Sequence, residues 1–346
     1  MKGGLALRLL QQWVSGIVVR LGAGAKPARF REVIHILPKD AISAIDEPVF
    51  FGKQDGVLQM TESEQVIGVE INGDARAYPV QILSVHEIVN DVVGGIPIAV
   101  TWCPLSYSAV VYRRMVIDRA LSFGVSGGIL RNTLVMYDRQ TGSLWNQLTG
   151  DAFSGALSGI QLQSEPAVLT TWGGWQGMYP ASLALSKADS PYNFYEDDHM
   201  AEYYASEKTG IRPPARTDNR LPEKERILGI ATESSSIVYP FSLLRQTRAI
   251  HDMIEGRQLV VFFDNETETA RAYDADVAGT TLSFYESDGK YYDYQTNSLW
   301  SPLSGRSILG PLTDRRLRPL SGISAFWFAW ADHYPETKVF ELPVTN

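Results

Sequence analysis

Residues 137–157 read YDRQTGSLWNQLTGDAFSGAL, and residues 292–312 read YDYQTNSLWSPLSGRSILGPL. The two stretches are identical at 11 of 21 positions, without a gap, at a constant offset of 155. Two unrelated segments of this composition would agree at roughly one or two positions. The chain therefore contains an internal repeat, and a repeat predicts that the same structural unit is built twice.

The repeat extends in both directions from this stretch. Downstream, the same offset pairs Trp172 with Trp327. Upstream, the offset becomes 161 and pairs Asp91 with Asp252. The first copy therefore has six more residues than the second, and these fall in the glycine-containing stretch 124–133, which predicts a longer loop in the first copy.

The two homologous copies cover about residues 62–185 and 223–341. A polar stretch rich in Pro and Tyr separates them and is typical of a linker. The chain is accordingly divided into an amphipathic N-terminal extension at 1–40, a first repeat unit at 41–185, the linker at 186–222 and a second repeat unit at 223–346.

Within each copy, short runs of alternating apolar and polar residues predict strands. Residues 66–71 and 75–78 flank Asn72-Gly73, a strong hairpin signal. The stretches 81–93 and 172–179 predict helices. The predicted fold is α+β and strand-dominated, with two pseudo-symmetric β-rich repeat units that are barrel-like or sandwich-like.

Composition and charge exclude several classes of protein. The 346 residues include 31 basic and 39 acidic side chains, a net charge of −8, which argues against a nucleic-acid partner. No stretch is apolar for long enough to predict a transmembrane segment. Residues 5–20 are amphipathic and predict a short helix that contacts the protein body or a membrane surface peripherally. These features predict a cytoplasmic location.

Positions that differ in chemical type between the copies are candidates for a functional site, because shared positions serve the shared fold. His86 and Glu87 are matched by Thr247 and Arg248 in the second copy, and Asn90 is matched by His251. If the segment is helical, His86 and Asn90 share one face, while Glu87 and Asp91 share the adjacent one. The alternative is a histidine that only bonds the backbone.

Cys103 is the only cysteine of the chain, so no intramolecular disulfide can form. It follows a hydrophobic strand and is matched by Asp264 in the second copy. Imidazole and thiolate ligands suit copper, iron or zinc, so His86 and Cys103 are predicted metal ligands. Glu87 or Asp91 would then orient a ligand or carry a proton. A lone cysteine is more commonly a buried, inert thiol.

A substrate-binding role is predicted for Ser126, Arg131 and Asn90. The run Ser126-Gly127-Gly128 would offer successive backbone N–H groups to an anion, with Arg131 nearby, although a plain hairpin connection is the commoner use of such a run. Gly22-Ala23-Gly24 lacks a preceding strand and a third glycine, so no nucleotide cofactor is predicted.

A run from Val66, VIGVEINGDARAYPVQILSVHEIVNDVVGGIPIAVTWCPLSYSAVVY, is followed by LSFGVSG and MYDRQTGSLWNQLTG. Together these motifs resemble the bacterial and archaeal family labelled domain of unknown function 3179, over about residues 40–342. Members of that family typically show the runs W-H-E-I-V-N-D and C-P-L-C. The residues that match these runs are His86, Glu87, Asn90, Asp91 and Cys103.

This chain departs from the family pattern at two places: Val85 stands where the family usually has Trp, and Ser106 replaces the second cysteine. The second departure removes any two-thiolate role at this turn. The resemblance brings no activity with it. Because many family members look exported, it makes export the alternative to a cytoplasmic location.

Three functions are compatible with these residues. The first is a metal-dependent enzyme, an oxidoreductase acting on a small molecule at a site in the first copy. The second is a non-catalytic protein that binds a small ligand. The third is a metal-free enzyme with Cys103 as nucleophile and His86 as base.

Overall fold

The computed structural model describes residues 32–52, 60–187, 195, 198–214 and 216–342. Strands dominate over five short helices in this part of the chain, so the α+β, strand-dominated prediction is confirmed. Within it, no helix is both long and apolar enough to cross a membrane. The predicted amphipathic helix at 5–20 lies outside the described residues. We call residues 32–187 the first half and residues 216–342 the second half.

The first half contains sixteen strands and two helices. The helices are α1 (Val80–His86) and α2 (Trp172–Met178). The strands are β1 (Ile34–His35), β2 (Phe50–Phe51), β3 (Gln65–Ile71), β4 (Asp74–Pro79), β5 (Ile88–Val93), β6 (Ile96–Cys103), β7 (Ser108–Arg113), β8 (Met115–Val116), β9 (Arg119–Ala120), β10 (Phe123–Leu130), β11 (Thr133–Asp138), β12 (Leu144–Asn146), β13 (Ala152–Ser154), β14 (Ser164–Glu165), β15 (Ala167–Thr171) and β16 (Leu183–Leu185).

A short helix, α3 (Ala201–Ala205), lies between the halves, and the second half adds fourteen strands and two helices. The helices are α4 (Phe241–Leu244) and α5 (Trp327–His333). The strands are β17 (Arg226–Ala231), β18 (Ser236–Pro240), β19 (Ala249–Ile254), β20 (Arg257–Asp264), β21 (Thr269–Asp274), β22 (Asp276–Val277), β23 (Thr280–Thr281), β24 (Phe284–Ser287), β25 (Lys290–Asp293), β26 (Leu299–Trp300), β27 (Ser307–Leu309), β28 (Arg318–Pro319), β29 (Ile323–Phe326) and β30 (Lys338–Val339).

Each half arranges its main strands in three sheets. The orders are β15-β3-β4-β16-β2, β14-β7-β6-β5 and β1-β10-β11-β12-β13 in the first half, against β29-β17-β18-β30, β19-β20-β21-β28 and β24-β25-β26-β27 in the second. No sheet closes on itself among the described residues, so these sheets are not barrels.

The sheet containing β5, β6 and β7 is the middle layer of the first half. Alternate residues of a strand point to opposite faces, and β6 is apolar on both. Ile98, Val100 and Trp102 pack with the β3–β4 layer, whereas Ala99 and Cys103 pack with the β10–β12 layer. Both faces of the middle sheet are therefore buried, which explains the nearly continuous apolar run that its strands show in the sequence.

The two halves contact each other through β7 against β29 and through β21 against β15. The backbone N–H of Phe326 donates to the Ser106 carbonyl at 2.8 Å, and the Thr269 hydroxyl donates to the Thr170 hydroxyl at 2.8 Å. The edge strands β29 and β15 therefore each lie against the other half.

The Asn72-Gly73 hairpin is confirmed, with φ of 53° and 84° at the two turn residues. The helix predicted at 81–93 is right only as far as His86, because the chain leaves α1 at Glu87 and continues as β5. The stretch 124–133 is also not a loop. It lengthens the β10–β11 hairpin, with an irregularity in the ladder between Val125 and Ile129.

Candidate active site

Glu87 ends helix α1 in the left-handed backbone conformation, with φ of 58°. Its N–H donates to the Leu83 carbonyl at 2.7 Å, and its own carbonyl accepts from the Trp102 N–H at 2.9 Å. A residue with a Cβ pays roughly 1 kcal/mol or more for this conformation, and glycine is the usual residue at such a helix end. The geometry turns the chain directly from α1 into β5 and fixes the position of the Glu87 side chain.

The Glu87 side chain borders a small cavity of about 40 Å³ on the β10–β11 side of the middle sheet. Cys103, the last residue of β6, lines the same cavity and is almost wholly buried. Its thiol lies 3.9 Å from the Asn132 carbonyl. The remaining walls are apolar side chains and glycine backbone, contributed by Ile36, Leu37, Ile42, Leu105, Val125, Gly127, Gly128, Ile129 and Leu134.

This environment perturbs both acidic groups. No described residue gives the Glu87 carboxyl a hydrogen bond or an ion pair, and burial raises its pKa to about 7. Burial and, secondarily, the nearby Glu87 charge raise the pKa of the Cys103 thiol to about 11, against weaker opposing hydrogen bonds from Ser106 and Leu134. Acid–base groups whose pKa values are shifted by desolvation in a cavity are typical of functional sites.

The structure does not place His86 at this cavity. Its Nδ1 lies 2.7 Å from the Ser43 carbonyl oxygen, and its Nε2 lies 2.7 Å from the Tyr195 hydroxyl. Because a carbonyl only accepts, Nδ1 donates to Ser43, and Nε2 is hydrogen-bonded to the Tyr195 hydroxyl. Both ring nitrogens that a metal or a thiol would use are therefore engaged with other groups.

The structure shows no third ligand next to His86 and Cys103 among the described residues. Within the described ranges, no group of three or more His, Cys, Asp or Glu side chains is arranged to hold a metal ion. To ligate a metal, His86 would have to give up its hydrogen bond to Ser43 or to Tyr195. Metal binding by His86 and Cys103 stays a prediction from the sequence.

Asn90 and Asp91 lie on β5, so they point to opposite faces of the middle sheet. The predicted helix faces, which paired Asn90 with His86 and Asp91 with Glu87, are therefore not formed. The Asp91 carboxylate accepts two hydrogen bonds of 2.8 Å from Arg76 and one of 2.6 Å from the Tyr78 hydroxyl. Asn90 instead accepts from the Phe123 N–H at 2.9 Å and donates back to its carbonyl at 2.8 Å. Both groups are occupied in holding layers together, away from the Glu87–Cys103 cavity.

Ser126 and Arg131 also serve the β10–β11 hairpin in the structure. The Ser126 hydroxyl donates to the Val135 carbonyl at 2.6 Å and accepts from the Gly128 N–H at 3.1 Å, so this N–H is already used. Arg131 occupies the turn, with φ of 49°, and forms an ion pair with Glu32 at 2.7 Å. Neither residue lines the Glu87–Cys103 cavity, and their predicted role in substrate binding stays a prediction.

The residue that the sequence reasoning missed is Val125, a wall of the cavity. The repeat offset of 161 matches Val125 with Glu286, an apolar residue with a charged one. The same comparison of the two copies that identifies Glu87 and Cys103 could therefore have identified Val125. The six surplus residues of the first copy also contribute to the cavity. They extend the hairpin so that Gly127, Gly128 and Leu134 cover the cavity.

Comparison with known proteins adds a family and no named relative. No curated protein and no solved structure matches the chain significantly. One family, described as "Protein of unknown function (DUF3179)", matches residues 39–337. This match covers almost the whole chain and contains both the Glu87–Cys103 cavity and the second half, so the chain belongs to the DUF3179 family.

Proposed function

We propose that this chain is a metal-free enzyme in which the Cys103 thiol attacks a small molecule and the Glu87 carboxylate takes up the thiol proton. The observation that carries the proposal is the Glu87 carboxyl, which has no described partner and borders the same cavity as Cys103. A carboxyl with a pKa of about 7 is half ionised at neutral pH, the condition in which proton exchange is most effective.

The high pKa of the Cys103 thiol determines when its proton would move to Glu87. With a pKa of about 11, Cys103 is almost entirely protonated at neutral pH, so the proton must leave as the sulfur attacks. Glu87 replaces His86 as the base of the predicted cysteine mechanism, because His86 is bonded to Ser43 and Tyr195.

The cavity limits the size of the reacting molecule. A volume of about 40 Å³ has room for roughly one or two water molecules, which favours an electrophile of a few atoms such as hydrogen peroxide. In that reaction the S–O bond forms and the O–O bond breaks. Glu87 passes the thiol proton to the departing hydroxide, which leaves as water, and Cys103 becomes a sulfenic acid.

The single cysteine determines how the enzyme would be regenerated. Oxidised Cys103 has no second cysteine in the chain with which to form a disulfide. An external thiol would displace water from the sulfenic acid to give a mixed disulfide, and a second external thiol would then release Cys103 with formation of the external disulfide. The reaction is thereby an oxidation of a low-molecular-weight or protein thiol by a small oxidant.

The proposal is tested by the rate at which hydrogen peroxide oxidises Cys103, followed by peptide mass spectrometry between pH 5 and pH 10. In the wild-type chain we expect the rate to rise through the pKa of Glu87, about 7, and then to level off. In Glu87→Gln the plateau should disappear, leaving a slow rate that climbs with thiolate formation. Identical profiles for both proteins would refute the role of Glu87.

The same preparation separates this proposal from the alternatives. Stoichiometric copper, iron or zinc, lost in both His86→Ala and Cys103→Ser, would replace the proposal by the metal-dependent one. A Cys103 that stays unmodified at every pH in the folded protein would indicate an inert thiol and favour the non-catalytic binding protein.

A further inference from the structure

A second and much larger cleft lies on the other side of helix α1 and has no part in the proposed thiol chemistry. Its volume is about 600 Å³, and it is bounded by the start of β3, by α1, by the turn before β7 and by α3. It shares no lining residue with the Glu87–Cys103 cavity. Clefts of roughly 300–1,000 Å³ are the usual size for small-molecule sites.

The second half carries a group of paired charges at the matching positions. Gln65, Ser84 and Tyr107 of the cleft are matched at the offset of 161 by Arg226, Arg245 and Glu268. There, the Arg245 guanidinium pairs with the Glu268 carboxylate at 2.5 Å, and Arg226 approaches the same carboxylate at 3.9 Å. The second half thus carries two arginines and a glutamate at these three positions, where the first half has a glutamine, a serine and a tyrosine. The cleft is completed by Lys187, Asp198 and Tyr204, which lie outside the repeat.

One polar atom at the cleft points to a missing partner. The Tyr204 hydroxyl is inaccessible to solvent and has no hydrogen-bond partner among the described residues. An unsatisfied buried hydroxyl costs about 1–3 kcal/mol, so a ligand or an ordered water that bonded it would recover that free energy. The Tyr107 ring packs edge-on against Tyr204 with ring centroids 5.0 Å apart, which gives the wall an aromatic surface beside this hydroxyl.

The remaining polar groups of the described lining include both hydrogen-bond donors and acceptors, and its carboxylates outnumber its cations. Tyr107 donates to the Gln65 side-chain oxygen at 2.5 Å, and the Gln65 amide nitrogen stays available as a donor. Ser84 adds a hydroxyl, and Glu64 and Asp198 add carboxylates. The lining cation, Lys187, already pairs with Glu64 and donates to Gln81 at 2.6 Å. An anionic ligand would meet two carboxylates and a cation that is already neutralised.

We propose that this cleft binds a neutral polyhydroxylated molecule of one or two sugar rings. Hydroxyl groups donate and accept at once, which suits the mixed set formed by Tyr204, Gln65 and Ser84. The apolar C–H face of a sugar ring would pack on the Tyr204 ring, since the Tyr107 ring is buried against Trp102 and Phe326. The absence of an uncompensated cation in the described lining is consistent with a neutral ligand.

The test is isothermal titration of the full chain with maltose, cellobiose, trehalose, sucrose and glycerol, with choline chloride as a cationic comparison. We expect at least one sugar to bind with a Kd of 1 mM or below, and Ser84→Arg, which installs the residue of the second half, to weaken it at least tenfold. Tyr204→Phe should weaken it three- to tenfold. The matched control is Ser242→Arg, the same change at an exposed position of helix α4. This variant should bind the sugar with unchanged affinity.

Three results would overturn the proposal: no binding by any sugar, unchanged affinity in both Ser84→Arg and Tyr204→Phe, or tighter binding of choline than of every sugar. Thermal unfolding of each variant separates a binding defect from a folding defect. Cys103→Ser should bind the sugar as the wild-type chain does, so failure of the thiol proposal and failure of this one are distinguishable.

Discussion

Glu87 in the first half and Arg248 in the second stand at the same place in the repeat, but their surroundings are opposite. Arg248 forms an ion pair with Glu286 at 3.4 Å, and its backbone is not in the left-handed region. Glu87 has Val125 where Glu286 stands, adopts φ of 58°, and borders a cavity with Cys103. Charges are paired at this place in the second half, whereas the first half keeps an unpaired carboxyl against an apolar wall.

The larger cleft shows a related contrast, because it is lined by Gln65, Ser84 and Tyr107 where the second half has the paired charges Arg226, Arg245 and Glu268. In a duplicated protein, one copy preserves the architecture while the other is free to lose stabilising pairs. The cost of strain and of unpaired polar groups in the first half is offset by the packing of its buried core.

The largest effect on the free energy of unfolding is expected at positions where the two halves have the same residue. Trp145 and Trp300 are fully buried, and their indole N–H groups donate to Asp138 and Asp293 at 3.0 and 2.9 Å. We expect Trp145→Ala and Trp300→Ala each to lower the free energy of unfolding by about 3–5 kcal/mol, measured by urea denaturation. A difference of more than about 1 kcal/mol between the two would break the equivalence of these positions.

The second prediction concerns Asp91 and its match Asp252. Asp91→Asn should cost about 2 kcal/mol, because the buried carboxylate that accepts from both Arg76 and Tyr78 loses its charge, while Arg76 keeps its pair with Asp74. Asp252→Asn should cost only about 1 kcal/mol, because Asp252 accepts a hydrogen bond from Tyr239, and Ile237 stands at the Arg76 position. The midpoint of urea unfolding at pH 7 measures both, and equal losses would contradict the assigned role of Arg76.

The third prediction is a pH dependence that belongs to Glu87. Burial raises the pKa of Glu87 from 4.5 to about 7. Between pH 4.5 and pH 7 the carboxyl is therefore mostly protonated in the folded chain and mostly ionised in the unfolded chain. Stability therefore falls as pH rises from about 4.5 to about 7, by at most about 3 kcal/mol from this group. Glu87→Gln should flatten this part of the urea-unfolding profile, whereas the control Glu286→Gln should retain it. A slope that is the same in wild type and Glu87→Gln would count against the desolvated carboxyl.

The smallest effect tests backbone strain. Glu87→Gly should raise stability at pH 5, where the folded chain holds Glu87 protonated, by about 1 kcal/mol, because glycine adopts positive φ without a Cβ penalty. Arg248→Gly should instead lower it by about 0.5–1 kcal/mol, since no such strain exists there. Thermal unfolding compares the two, and loss of stability in both variants would remove strain as a feature of the first half.

Much of the fold could be predicted from local sequence. The Asn72-Gly73 turn, the alternating strands and the repeat itself depend on contacts that are near in sequence or on identities that can be aligned. The predicted helix at 81–93 is too long, because the run from Val80 to Val93 mixes apolar and polar residues without a clear period. The second part of this run, from Ile88, forms a strand because it pairs with β6, with Ile88 opposite Thr101.

The sequence by itself determined that the chain is duplicated, that the first copy diverges at His86, Glu87 and Cys103, and that only one cysteine is available. Only the tertiary structure decided which of these residues meet. The positive φ of Glu87 sends neighbouring side chains to different places, so His86 bonds Ser43 and Tyr195 while Glu87 borders the cavity with Cys103. Such a separation cannot be read from spacing, because one backbone dihedral, held by long-range strand pairing, decides where two adjacent side chains go.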